Sequence, residues 1–114
     1  MPVLCITTNI TKTAFSKEET VLALSKIAAK LSGKPESYVN VIINTDAIMS
    51  FGGTTEPTAA VEFSSIGGFT NNSVVAKELT DAISKHLKVS ADRFYIKLTD
   101  LSAKEISYRG NTFG

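Results

Sequence analysis

A chain of 114 residues, 43% hydrophobic and 20% charged, is one globular domain with a real core, too short for two domains and too apolar for disorder. Its net charge is +1, with lysines and arginines spread along the chain, so it presents no electrostatic footprint for nucleic acid or an anionic membrane surface. No apolar run approaches the roughly 20 residues of a membrane span, no secretory leader is written at the start, and the lone Cys5 excludes a disulfide framework and a thiolate zinc set.

The chain opens Met1-Pro2, followed by a short, branched, apolar run at residues 3–10 that predicts a strand. A proline in second place normally lets a peptidase remove Met1, which leaves a secondary amine at the terminus. An α-amino group titrates at roughly 7.7–8 in peptides. Burial or a nearby cation would make it a neutral base at physiological pH. The alternative is that Pro2 only begins the strand, where its missing N–H does no harm.

Ser16 stands three residues before Glu19, the spacing of a capping box. Val21, Leu24, Ile27, Ala28 and Leu31 then form one helical stripe, ended by Gly33 and Pro35. Lys34 lies in that ending. A cation in a fixed turn can bind a carboxylate or lower a neighbouring amine's pKa; equally, it can answer the carbonyl end of the helix. A second strand is predicted over residues 38–44, from Val39, Val41 and Ile43, and residues 46–57, with Gly52, Gly53 and Pro57, read as a connection.

The pattern then returns. Residues 58–66 predict a strand, residues 73–87 a helix with Val75, Leu79, Ala82, Ile83 and His86 or Leu87 inward, and residues 94–101 a strand. Residues 102–114 form a polar, glycine-bearing tail. A shift of 56 residues sets Ile27 on Ile83, Leu31 on Leu87 and Tyr38 on Phe94. The expectation is a single α/β (α+β) domain with a pseudo-repeat of 1–57 and 58–114. Two β-α-β units would form a four-stranded sheet with two helices on one face. Several strands are apolar in both registers, as at Val41-Ile42-Ile43 and Phe94-Tyr95-Ile96. Such strands expect cover on both faces, hence a second subunit; alternatively Glu62, Lys97 and Thr99 face water there.

Few residues carry obvious chemistry. His86 is the only histidine and reads as solvated or facing the helix dipole, so no hydrolytic triad can be built. Gly52-Gly53 and Gly67-Gly68 lack the spacing and lysine of a phosphate loop. The sequons at Asn9 and Asn71 are read as chance matches.

Met1-Pro2, Thr7-Thr8-Asn9, Gly33-Lys34-Pro35, Met49-Ser50-Phe51-Gly52-Gly53, Glu56-Pro57, Ser65-Ile66-Gly67, Asp92-Arg93-Phe94-Tyr95-Ile96 and Gly110-Asn111-Thr112-Phe113 together resemble the macrophage migration inhibitory factor family of tautomerases, close to D-dopachrome tautomerase. The resemblance implies a homotrimer and a cofactor-free keto–enol tautomerase, without a metal, acting on a small aromatic 2-keto acid such as phenylpyruvate. It implies Pro2 as acid/base, Lys34 and the Ile66 N–H as substrate donors, and a pocket walled by a neighbouring subunit's Tyr95 with Ile106, Tyr108 and Phe113. Lys97 stands where many relatives have asparagine, adding a second cation to the pocket or pairing elsewhere. Tyr108 stands where the best-known member has tryptophan. Thr58 and Val61 replace a Cys-x-x-Cys, so thiol redox activity is not expected. The alternative role is a cytokine-like ligand for a cell-surface receptor. Location is expected to be the cytoplasm, with any export independent of a signal peptide.

Overall fold

A computed structural model describes all residues 1–114. β1 (Val3–Thr8) alternates Leu4, Ile6 and Thr8, all buried, with half-buried Val3, Cys5 and Thr7. That period of two directs one side to the helices and the other to an open face. α1 (Lys17–Ser32) buries Thr20, Leu24 and Ala28 at steps of four. Ser16 occupies its N-cap, as predicted, but the hydroxyl makes no capping bond; the Ser16 carbonyl instead accepts the Thr20 N–H at 3.0 Å. Gly33 ends α1 in the left-handed region (φ 69°), donating its N–H to Ala29 O at 3.0 Å. Glycine adopts that conformation without the Cβ penalty other residues meet.

The strand expected over 38–44 starts later. Pro35 (φ −59°) leads into one 3-10 turn, Glu36–Tyr38, in which the Tyr38 N–H bonds Pro35 O at 3.1 Å; β2 then runs Asn40–Asn44. Pro35 itself is extended (ψ 139°) and supplies the carbonyl that closes the turn. The second half repeats the device, with a turn at Ala91–Arg93 before β4 (Phe94–Leu101). β3 is Ala59–Ile66 and α2 is Asn72–Leu87. Asn71 caps α2 by accepting the Val74 N–H at 3.2 Å. The inner stripe of α2 closes with buried Leu87, while His86 sits half-buried beside it.

The sheet order is β2-β1-β3-β4. β1 and β2 are parallel, as are β3 and β4, and β1 meets β3 antiparallel at the centre. Both β-α-β units therefore exist as the repeat predicts, and they meet through their first strands. Leu4, Ile6, Leu24, Phe63, Leu79 and Ile83 form the fully buried centre between sheet and helices. The opposite face stays open: Ile42, Ala60, Glu62, Tyr95 and Lys97 are all exposed on it.

The tail is more ordered than its composition suggested. β5 (Ser107–Tyr108) and β6 (Asn111–Thr112) form a small hairpin turning through Arg109 (φ 54°) and Gly110 (φ 85°). Two consecutive positive φ values are the signature of a type I′ turn, whose twist suits a two-residue hairpin.

Candidate active site at the start of β1

β1 pairs with β3 from Val3 opposite Ser64 to Thr8 opposite Ala59. Continued one step, the ladder sets Pro2 opposite Ser65; a further step sets Met1 beside Ile66. Pro2 is buried, and its carbonyl accepts the Asn40 N–H at 3.0 Å, which latches the segment after α1 onto the chain's start. Lys34 lies in that segment, half-buried, its backbone N–H donating to Ala29 O and Ser32 Oγ, both at 3.3 Å. The terminal amine of Met1 is held below its ordinary value of 8.0, first by burial and then by the Lys34 ammonium. Both effects disfavour a charged amine. That influence on a neighbouring amine agrees with one of the two readings left open for Lys34.

β3 ends at half-buried Ile66, where the Gly68 N–H returns to Ser65 O at 3.1 Å and Gly67 takes φ 79°. The tail supplies aromatic cover. The Tyr108 ring stands edge-on to Tyr38 at 6.0 Å and lies nearly parallel to Phe113 at 6.4 Å. Tyr38 lies two residues before Asn40, the partner of Val3. The Phe113 N–H donates to Ala103 O at 3.0 Å, and Ile106 is half-buried on the approach to β5. Pro2, Lys34, Ile66, Tyr108 and Phe113 therefore belong to one end of the sheet. Tyr38 completes their aromatic wall; sequence reasoning missed it, since only its pairing with Tyr108 marks it.

Tyr95 and Lys97 do not join them within one chain. Tyr95 lies opposite Ala60, itself opposite Thr7; Lys97 lies opposite Glu62, itself opposite Cys5. The Tyr95 row is four β1 residues from the Val3 row, about 13 Å along the strand. Tyr95 is 78% exposed. Its ring meets Phe51 at 5.2 Å on the rim of an open-face cleft of about 620 Å³, also lined by Met49, Glu62 and Lys97. Lys97 Nζ lies 3.6 Å from Glu62 Oε2. The second cation therefore has a carboxylate partner in its own chain, and Glu62 is a surface charge paired with it.

The loop beside this cleft is clamped by two side chains. Arg93 donates to Phe51 O at 2.8 Å, Pro57 O at 3.2 Å and Glu56 O at 3.0 Å, with its guanidinium 5.4 Å from the Phe51 ring centre. Asn9 Nδ2 donates to Thr55 O and Glu56 O, and Asn9 Oδ1 accepts the Thr58 N–H at 2.9 Å. Both sequon asparagines thus hold backbone, Asn9 in this loop and Asn71 at the cap of α2. No group of histidine, cysteine or acidic side chains has the arrangement to hold a metal, and no helix is long and apolar enough to cross a membrane.

Comparison with known proteins agrees over the whole chain. Residues 1–114 match the family described as macrophage migration inhibitory factor. The macrophage migration inhibitory factor of Xenopus laevis is 40% identical over 116 residues, covering 99% of each chain. A homolog from Brugia malayi is 37% identical and fully covered on both sides. Among solved structures, the factor from Trichinella spiralis superposes with a TM-score of 0.93 at 33% identity, covering 97% of this chain and 99% of that one. The homologue from Prochlorococcus marinus gives 0.88 at 33% identity, covering 98% and 99%. With its duplicated fold and its matches running from end to end, the chain belongs to the macrophage migration inhibitory factor family.

Proposed function

We propose that this protein is a cofactor-free keto–enol tautomerase of small aromatic 2-keto acids, of the phenylpyruvate or dopachrome type, with Pro2 as its acid/base. The family includes tautomerase and cytokine roles. The observation that carries the enzymatic reading is the placement of the amino terminus: Pro2 is buried at the start of β1, and the pKa of the Met1 amine next to it is lowered by burial and by Lys34. Once Met1 is removed, the neutral Pro2 nitrogen takes a proton from the carbon next to the substrate carbonyl. The C–H electron pair forms the C=C bond while the C=O π pair moves onto oxygen, and the proton carried by Pro2 returns to that oxygen to give the enol. The Lys34 ammonium binds the carboxylate or the developing enolate, and the Ile66 N–H donates to the same oxygen. Donors placed where charge develops lower the barrier.

Tyr95 and Lys97 enter this site from a neighbouring copy in a homotrimer. The roughly 13 Å that separates the Tyr95 and Val3 rows in one chain, and an open sheet face bearing Ile42 and Tyr95, support a shared pocket. Subunit mixing tests this. Pro2→Gly and Tyr95→Ala proteins, unfolded and refolded together, regain phenylpyruvate turnover above the mean of the two alone, because some mixed interfaces unite an intact Pro2 with an intact Tyr95. No gain on mixing contradicts a shared site.

The names of the vertebrate relatives, which speak of macrophage migration, favour a second reading, a signalling ligand recognised by a cell-surface receptor. Pro2→Gly separates the two: it abolishes turnover and leaves a purely receptor-borne effect on macrophage migration intact.

A further inference from the structure

Ser65 is fully buried, and its hydroxyl has no hydrogen-bond partner. Thr99 Oγ1 on β4 is the one other buried hydroxyl so left, and it lies two strands from Pro2; those of Thr8 and Thr58 are bonded. Thr8 Oγ1 donates to Thr58 O at 2.7 Å, and Thr58 Oγ1 donates to Arg93 O. A hydroxyl taken from water without a partner costs stability, so such a group calls for an explanation. Its place in the ladder supplies one. Leu4 lies opposite Phe63 and both point into the core; two residues on, on the same side of the sheet, Pro2 comes opposite Ser65. While Met1 remains, the Pro2 nitrogen is a tertiary amide with no hydrogen to give. After Met1 leaves, it is a secondary amine with one.

We propose that Ser65 is a positioning residue for the amino-terminal proline, its Oγ accepting an N–H of the Pro2 ring nitrogen in the mature chain. The idea rests on the reading of Pro2 as the base. A neutral ring amine carries one N–H and one lone pair, which exchange places by inversion. Fixing the N–H on Ser65 turns the lone pair toward the substrate. When the nitrogen is protonated, one N–H stays on Ser65 and the other faces the carbon or oxygen that will receive the proton. Because a hydrogen bond from a charged donor is the stronger, Ser65 favours the protonated form, opposing the burial and the Lys34 charge that lower the pKa of an amine at this terminus. The other ionisable groups nearby are the exposed Tyr38 and Tyr108 phenols and, opposite Ser65 on β4, exposed Asp100, whose side chain lies against Gly68.

The test is an NMR titration of the terminal nitrogen in ¹⁵N-proline-labelled protein whose start at Pro2 is confirmed by mass, for the native sequence and Ser65→Ala. The expected result is a proton affinity about tenfold lower in Ser65→Ala. The acid limb of kcat/KM moves to lower pH by the same amount, and kcat falls at the plateau. The unfolding midpoint in urea falls by no more than the one bond to Pro2 contributes, since no partner elsewhere in the fold is lost. Superimposable titrations overturn the proposal, as does a loss of stability with an unmoved titration, which would mark Ser65 as packing only. Ser65→Cys keeps the volume with a weaker acceptor and gives an intermediate shift. If the native protein turns nothing over, the tautomerase reading fails, while the titration still decides whether Ser65 holds the amine.

Discussion

Arg93 ties four carbonyls of the 51–57 loop to the start of β4, the one of Thr54 only weakly at 3.5 Å, and Arg93→Ala removes all four bonds at once. The bond to Phe51 O, at 2.8 Å and partly buried, is charge-assisted and contributes about 1.5 kcal/mol. The bonds to Pro57 O and Glu56 O are exposed, so water replaces them and each is worth about 0.5 kcal/mol. The guanidinium over the Phe51 ring adds about 0.5 kcal/mol. The sum is a loss of about 3 kcal/mol, read as a lower urea midpoint at fixed protein concentration. Arg93→Lys, with one compact ammonium in place of a planar fork, recovers less than half of it. The same change frees Phe51, the ring against which Tyr95 rests at 5.2 Å. On the shared-pocket reading it therefore raises KM for phenylpyruvate while kcat holds, because Tyr95 walls the pocket and takes no part in the proton transfer. A loss under about 1 kcal/mol with unchanged KM refutes this reasoning and leaves Asn9 as the clamp of the loop.

Lys34→Gln removes the cation that depresses the terminal amine. Activity requires the neutral amine and rises as pH climbs through its pKa, so the acid limb of kcat/KM moves to higher pH. Burial is the larger influence and remains, so the limb stays below that of an exposed amine; an unmoved limb places Lys34 outside the site. The same variant loses a charge-assisted contact to the substrate carboxylate, roughly a tenfold or greater rise in KM. For the Lys97–Glu62 pair, both side chains are more than half exposed, so breaking it costs folding stability under about 1 kcal/mol. Its effect is on the pocket: Lys97→Asn moves the acid limb up, Glu62→Gln frees the lysine and moves it down, and identical pH profiles for all three proteins place the pair away from the reacting groups.

Much of the architecture is written locally. Helical stripes such as Leu24–Ala28 and Leu79–Ile83 admit only one buried face, and the near-copy at a shift of 56 residues dictates two equal β-α-β units. What could not be read depends on partners distant in sequence. The tail hairpin turns on Arg109-Gly110, which lacks the Asn-Gly that would announce a type I′ turn. Tyr38 lay inside an apparent strand; its pairing with Tyr108 across 70 residues has no periodic signature. Ser65 looks like any polar residue closing a strand until its burial and missing partner are seen. Arg93 and Asn9 stood out only as fragments of motifs, because the carbonyls they hold belong to a loop of glycine, threonine and proline without a pattern of its own. The separation of Tyr95 from Pro2 is a matter of register, legible only once β1 is known to pair with β3.

The sharpest measurement is phenylpyruvate enolisation by three samples of verified mass: the chain beginning at Pro2, the same chain with Met1 retained, and Pro2→Gly. The account predicts turnover by the first and a loss of at least 100-fold in the other two, since general-base catalysis contributes roughly 10²–10⁴. Equal rates in all three would contradict it, because the Pro2 ring nitrogen is a free amine only in the first.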